Sequence, residues 1–203
     1  QLLEVLRQSE ELDDTVFIVT SDHGYFYGEH GLDPQRRLAY EETARIPLLI
    51  RYPSLIDGGS IEHRMTLNLD LAPTVLDMAS LPFNHTEGRS LLPLWTTEID
   101  NWRTSFVIEH HTDPTRYLGG ANDTADAPPR AVSEFVRVSD MGYKAIRDQR
   151  YKYIRYTDLE GMDELYDLQE DPYELENLAG SPDAASILNE MRAELDRLLA
   201  NPG

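Results

Sequence analysis

The stretch V16-FIVTSDHGYFYGEHG-L32 decides how the chain is read. Residues Thr15 to Thr20 are β-branched and aromatic. The run is short and is preceded by the turn-prone pair Asp13-Asp14, so it reads as a buried strand. It stops abruptly at Asp22, His23 and Gly24, with Glu29 and His30 just beyond. Open parallel sheets place ligand sites just past the carboxyl ends of such strands. A carboxylate and an imidazole at that edge suit a divalent cation. An Asx turn at Asp22, with His23 hydrogen-bonded to a neighbour, accounts for the same residues, so both readings stand on local sequence alone.

Outward from this stretch the pattern alternates. A helix over Leu2 to Glu11 precedes the strand, and a helical turn lies around Tyr40 to Thr43. A second apolar strand covers Ile46 to Tyr52, and a helix starts near Leu71, with Asp70 as its N-cap and Pro73 in its first turn. Strand and helix in alternation indicate an α/β fold. The character changes near residue 100. A strand over Ser105 to Glu109 leads into a long polar loop, His110 to Arg130. "YKAIRD" and "YKYIRY" then form a hairpin with its turn near Asp148-Gln149, followed by a short strand in "DELYDL". Alternation predicts one packed hairpin face, with Lys and Arg facing water. Ile187, Leu188, Met191, Leu195, Leu198 and Leu199 recur at helical spacing in a last helix over Ala184 to Ala200. Two regions are therefore expected: residues 1–100, α/β, and residues 101–203, a small antiparallel β subdomain closed by a C-terminal helix.

Composition limits the functions available. The chain has 203 residues, enough for a core, and a formal net charge of -19, which opposes binding to nucleic acid or anionic membranes. Much of that charge lies after Asp158, as a solvated face. With no cysteine, the chain has no disulfide, thiolate metal site or cysteine nucleophile. No apolar run reaches the roughly 18 residues a membrane span needs. The N-terminus carries no signal peptide and starts inside an amphipathic helix, the look of a piece of a longer protein.

Other chemistry-bearing residues carry weaker patterns. Arg36 and Arg37 present planar donor forks suited to a tetrahedral oxyanion, though Glu41 and Glu42 are close enough in sequence to neutralise them. His110 and His111 are strand neighbours on opposite faces and are poorly placed to share a metal. His63 and His85 lie in loops without pattern. Asn84-His85-Thr86 and Asn122-Asp123-Thr124 match the glycosylation acceptor pattern.

Taken in order, "TSDHGYFYGEHGL", "RRLAYEETARIPLLIRYP", "DLAPTVLDMA", "GRSLLPL", "YKAIRDQRYKYIRY" and "ELYDLQEDPYELENL" resemble the sulfatase family of the alkaline-phosphatase-like superfamily. The likeness is greatest to glucosamine-6-sulfatase-like and heparan- or mucin-type members. It implies the C-terminal part of an alkaline-phosphatase-like α/β sandwich. It also implies a formylglycine nucleophile, made from the Cys or Ser of a C/S-x-P-x-R motif, working with a divalent metal: Ca2+, or alternatively Mn2+ or Zn2+. On this resemblance Asp22 and His23 are metal ligands. Arg36 occupies the place of the family's sulfate-contacting lysine as a catalytic and substrate-binding residue, and His30 lines the same site. Arginine at that place keeps the charge but is bulkier than lysine. The chain contains no C/S-x-P-x-R motif, and Asp13-Asp14 precede a strand rather than follow one. The expected partners are a sulfated carbohydrate and a missing N-terminal half that holds the formylglycine. By resemblance the compartment is periplasmic, secreted or lysosomal. Two alternatives remain: a phosphonate monoester hydrolase or phosphodiesterase of the same superfamily, and a non-catalytic module that binds sulfated glycans.

Overall fold

The computed structural model describes residues 1–32, 34, 36–84, 87–96, 99–111, 142–157 and 159–200. In chain order its elements are α1 (Leu2–Gln8), β1 (Phe17–Thr20), α2 (Glu41–Ala44), β2 (Leu48–Arg51), α3 (Leu71–Met78), α4 (Leu92–Thr96), β3 (Ser105–His110), β4 (Tyr143–Asp148), β5 (Tyr151–Tyr156), β6 (Glu164–Asp167) and α5 (Ala185–Ala200). They fall into two compact units. One comprises residues 1–24 and 45–103; the other comprises 25–44 and 104–203. The expected loop from His110 to Arg130 lies outside the described residues beyond His111. So do Asn122-Asp123-Thr124, and His85 and Thr86 of the other glycosylation pattern.

In the first unit β1 pairs with β2 antiparallel, Phe17 opposite Arg51 and Thr20 opposite Leu48. The rule for open parallel sheets that singled out the end of β1 does not describe this pair. A parallel pair needs a crossover element, usually a helix on the sheet. Here residues 25–44, the middle of the connection, belong to the other unit. The strands are also less buried than their composition suggests: Val19 and Leu49, opposite each other, are 58% and 61% exposed. Arg51 ties the strand pair to the preceding turn, donating to the Leu12 carbonyl at 2.7 Å and to Asp13 at 2.6 Å.

Asp70 organises the rest of this unit. It stands before α3, but its side chain makes no cap bond to that helix. The carboxylate is fully buried and accepts the backbone N–H groups of Leu67 and Arg89, each at 2.8 Å. Arg103 grips it with both terminal nitrogens, Nη2 to Oδ1 at 2.7 Å. A charge taken out of water needs such saturation, or burial becomes prohibitive. Gly88 makes the approach possible: a Cβ at this position would lie 2.0 Å from the Leu69 carbonyl oxygen. Gly88→Ala is therefore expected to destabilise the unit by about 1–3 kcal/mol or more, because the obstruction is backbone. Chemical denaturation would show this, and a loss below about 0.5 kcal/mol, the level of a neutral surface change, would mean that the Leu69–Asp70 turn yields freely.

The second unit is a four-stranded antiparallel meander, β3-β4-β5-β6. Gln149 and Arg150 form the β4–β5 loop, where Asp148 accepts the N–H groups of Arg150 and Tyr151 at 2.7 and 2.5 Å. Strand alternation divides the side chains between two faces. Ile146, Tyr153 and Leu165 pack against Leu188, Met191 and Leu195 of α5. Tyr143, Ala145, Ile154, Tyr156 and Tyr166 pack against Phe26, Ala39 and Tyr40 of the 25–44 segment. One expectation fails on this second face. Lys152 does not face water; it is fully buried, and Arg147 is largely covered. Lys152 is in phase with Ile154 and Tyr156, so the pleat carries it inward, where carboxylates meet it.

Candidate metal half-site and oxyanion loop

The first unit holds Asp22 and His23 directly after β1. Two functions divide the Asp22 carboxylate. Oδ1 accepts the His23 N–H at 3.0 Å, which holds the Asp22 carboxyl below the usual carboxylate range. Oδ2 points to His23 Nε2 at 3.4 Å. The other ring nitrogen, Nδ1, donates to the Gly24 carbonyl at 2.6 Å, and Ser21 Oγ donates to the His23 carbonyl at 2.7 Å. An Nδ1–H imidazole carries its lone pair on Nε2. In that form Nε2 and the neighbouring Oδ2, 3.4 Å apart, are two donor atoms that one cation could take together. The Asp22 side chain is 84% exposed, so nothing in its own unit shuts the carboxylate off.

Two donors do not complete a site. Calcium takes six to eight oxygen ligands and zinc four mixed ligands. Among the described residues there is no group of three or more His, Asp or Glu side chains able to hold a metal ion. Asp13, engaged with Arg51, supplies none of the missing ligands. The donor set fits a divalent cation as a fraction of a shell.

The second unit holds His30 and Arg36. His30 sits in a single 3-10 turn, Glu29–Gly31, at φ 56°, flanked by Gly28 at φ 122° and Gly31 at φ 68°. A non-glycine residue in the left-handed region costs of order 1 kcal/mol and persists where its surroundings hold it. They do so here. The imidazole stacks on the Tyr40 ring at 4.2 Å and 13°, meets the Phe26 ring edge-on at 5.9 Å, and places Nε2 3.3 Å from Glu42 Oε2. Arg36 is exposed and holds no ion pair among the described residues. Glu41 and Glu42, the two carboxylates weighed against it in sequence, are engaged elsewhere, Glu41 with Arg147 and Lys152, Glu42 with His30.

Among the described residues the remaining histidines form no site. His110 stacks on Tyr143, His111 is 76% exposed at 4.0 Å from Glu109, and His63 is exposed. Sequence reasoning missed the polar groups behind His30. Glu164 on β6 accepts the phenolic O–H groups of Tyr40, Tyr156 and Tyr166, each at 2.9 Å. Burial, with the Glu164 carboxylate alongside, raises all three phenols well above their ordinary range.

Comparison with known proteins gives a consistent relationship. Residues 28–117 and 136–201 match the family model of the C-terminal region of N-sulphoglucosamine sulphohydrolase. An N-acetylglucosamine-6-O-sulfatase of Bacteroides thetaiotaomicron is 32% identical over 201 residues, 97% of this chain and 32% of the relative. A structure of BT4656 in complex with its substrate D-glucosamine-2-N,6-O-disulfate superposes with a TM-score of 0.80 at 30% identity, covering 99% of this chain and 37% of that one. The phosphonate monoester hydrolase of Agrobacterium radiobacter gives 0.78 at 29% identity, over 100% and 38% of the respective chains. The chain thus spans 32% to 38% of the length of these relatives. With matched residues in both units and the motifs in family order, the chain belongs to the sulfatase family of the alkaline-phosphatase-like superfamily, corresponding to the C-terminal region of its members.

Proposed function

We propose that this chain is the distal part of a sulfatase that hydrolyses sulfate esters of sulfated glycans, with Asp22 and His23 as half of its metal shell. The observation that carries the reading is the adjacency of Asp22 Oδ2 and His23 Nε2, 3.4 Å apart directly after β1, with Nδ1 tied back to Gly24. Calcium suits the carboxylate; manganese and zinc accept the imidazole as well. A bound cation would supply Lewis-acid polarisation of the ester oxygens, and a formylglycine elsewhere in the complete polypeptide would supply the nucleophilic hydroxyl. This chain's own contribution is to bind and orient. The hydrogen bond from Nδ1 to Gly24 fixes the tautomer that keeps Nε2 a donor atom to metal. Arg36 offers paired N–H groups to two sulfate oxygens, and its charge opposes the negative charge that grows in the transition state. His30, held by Tyr40 and Glu42, is the second residue of the 25–44 segment proposed to meet the substrate.

The phosphonate monoester hydrolase likeness, together with an imidazole at residue 23, favours one second reading, cleavage of phosphonate or phosphate esters. The test is made on the complete polypeptide. Sulfate release from 6-O-sulfated N-acetylglucosamine is expected to exceed turnover of a phenyl phosphonate monoester. Arg36→Ala is expected to lower kcat/KM for the sulfate ester by about 10²–10³-fold, as loss of one charge-stabilising donor set does. Arg36→Lys should keep most of the rate. Preferential cleavage of the phosphonate would put the second reading in place of the first. An Arg36→Ala enzyme as fast as the parent would remove Arg36 from the site.

A further inference from the structure

We propose that Glu164 is a positioning residue for His30, acting through the ring of Tyr40. The inference rests on the reading above only where it concerns catalysis; the geometry stands without it. Glu164 and Tyr166 share β6, Tyr156 comes from β5, and Tyr40 comes from the 25–44 segment, 124 residues away in sequence. All three phenols donate to one carboxylate at 2.9 Å. A carboxylate has acceptor positions for about four hydrogens, so three O–H groups fix it almost completely. Tyr40 is thereby pinned at its hydroxyl end. Its ring face is the surface on which His30 lies, 4.2 Å away and within 13° of parallel. Phe26 blocks the imidazole from another side, and Glu42 takes Nε2.

A tyrosine cluster around a carboxylate is not the cheapest way to fill this core. Phenylalanines and a leucine would pack the same space with no polar group to desolvate. What the polar cluster adds is direction: a hydrogen bond fixes the Tyr40 ring at one distance and angle, where apolar contact alone tolerates sliding. Burial holds the three phenols protonated far above neutral pH, so they remain donors. His30 itself adopts a left-handed backbone that isolated chains avoid. A strained residue stacked on a hydrogen-bonded ring is how a side chain is kept at one orientation.

Two variants test this. Glu164→Gln exchanges one acceptor oxygen for an NH2 group, and Tyr40→Phe removes a single hydroxyl and leaves the ring. Asp163→Asn serves as the control, because Asp163 bonds Tyr153 and Arg192 on the opposite face of the same sheet. In this chain the readout is the NMR signature of the His30 ring, which the Tyr40 ring current displaces. Both test variants are expected to move the His30 signals, and Asp163→Asn is expected to leave them in place. In the complete enzyme, both should lower kcat/KM by about 10–100-fold, the range for misoriented groups, while Asp163→Asn at a comparable Tm should not. His30 signals unmoved in both variants overturn the proposal. So does an Asp163→Asn control that moves them equally, since a general loosening would then suffice. Moved signals with unchanged kcat/KM uphold the positioning and overturn the placement of His30 in the catalytic site.

Discussion

Lys152→Met should destabilise the second unit by roughly 3–5 kcal/mol, the cost of removing one partner from a buried ion cluster. The Lys152 ammonium is fully buried, 2.9 Å from Glu41 Oε1 and 2.9 Å from Glu174 Oε1. At these distances the ammonium is held by both carboxylates, through charge and hydrogen bonding together. Glu174 uses its other oxygen to accept the Glu41 N–H at 2.6 Å, which joins the end of the 25–44 segment to the chain after β6. The two carboxylates are shifted in opposite directions. Burial raises the Glu174 carboxyl, with Lys152 only partly opposing it. Glu41 is also desolvated, but Lys152 and then Arg147 hold it below its ordinary value. Without the ammonium both would rise, and Glu174 would take a proton. A group whose folded pKa is raised binds more protons folded than unfolded, so stability falls as pH rises through that interval. The gap between parent and variant should therefore be smallest near pH 5 and widen toward pH 8, measured by denaturant titration at each pH. Lys152→Met with Glu174→Leu should regain much of the loss, since an apolar replacement of a buried pair is often close to neutral. A pH-independent gap, or one under about 1 kcal/mol, would mean that the cluster is hydrated and weak.

The same cluster marks where the sequence was legible and where it was not. The period of α5 named Leu188, Met191 and Leu195, and all three are in the core. The hairpin turn at Asp148 and the strand in "DELYDL" were readable because turn chemistry and alternation are local. Lys152 was misread for a different reason. Alternation put it in phase with Ile154 and Tyr156, yet its charge argued for water, and local sequence does not reveal the two carboxylates that reverse the balance. Glu41 and Glu174 are 133 residues apart, as Tyr40 and Glu164 are 124 apart. No periodicity reports a pairing of that separation. β1 and β2 were recognised as strands, but their burial was overstated, because apolar composition does not say what covers a face. The pair Asp22-His23 was picked out by its place after a strand; which ring nitrogen stays beside the carboxylate depended on the hydrogen bond from Nδ1 to the Gly24 carbonyl.

Asp22→Ala is expected to separate activity from stability. Its side chain is 84% exposed, and its carboxylate bonds only to immediate neighbours: the His23 N–H, Ser21 Oγ at 3.4 Å and, through Oδ2, the His23 ring. An exposed residue with such local contacts is expected to change unfolding free energy by no more than about 0.5 kcal/mol. Under the proposed function the same oxygen is a metal ligand. Loss of a metal's charge stabilisation removes several kcal/mol from the transition state, about a thousandfold in kcat/KM at roughly 1.4 kcal/mol per power of ten. The complete enzyme carrying Asp22→Ala should therefore unfold at the parent's denaturant midpoint and release almost no sulfate. Raised concentrations of calcium, manganese or zinc should restore part of the rate, because a weakened shell still fills by mass action. His23→Ala should behave alike, for it removes the other donor of the pair. A parent-like rate in both variants would detach the pair from chemistry and leave Asp22 as the cap of a turn. A large loss of stability without metal rescue would give it a structural task that its exposure does not suggest.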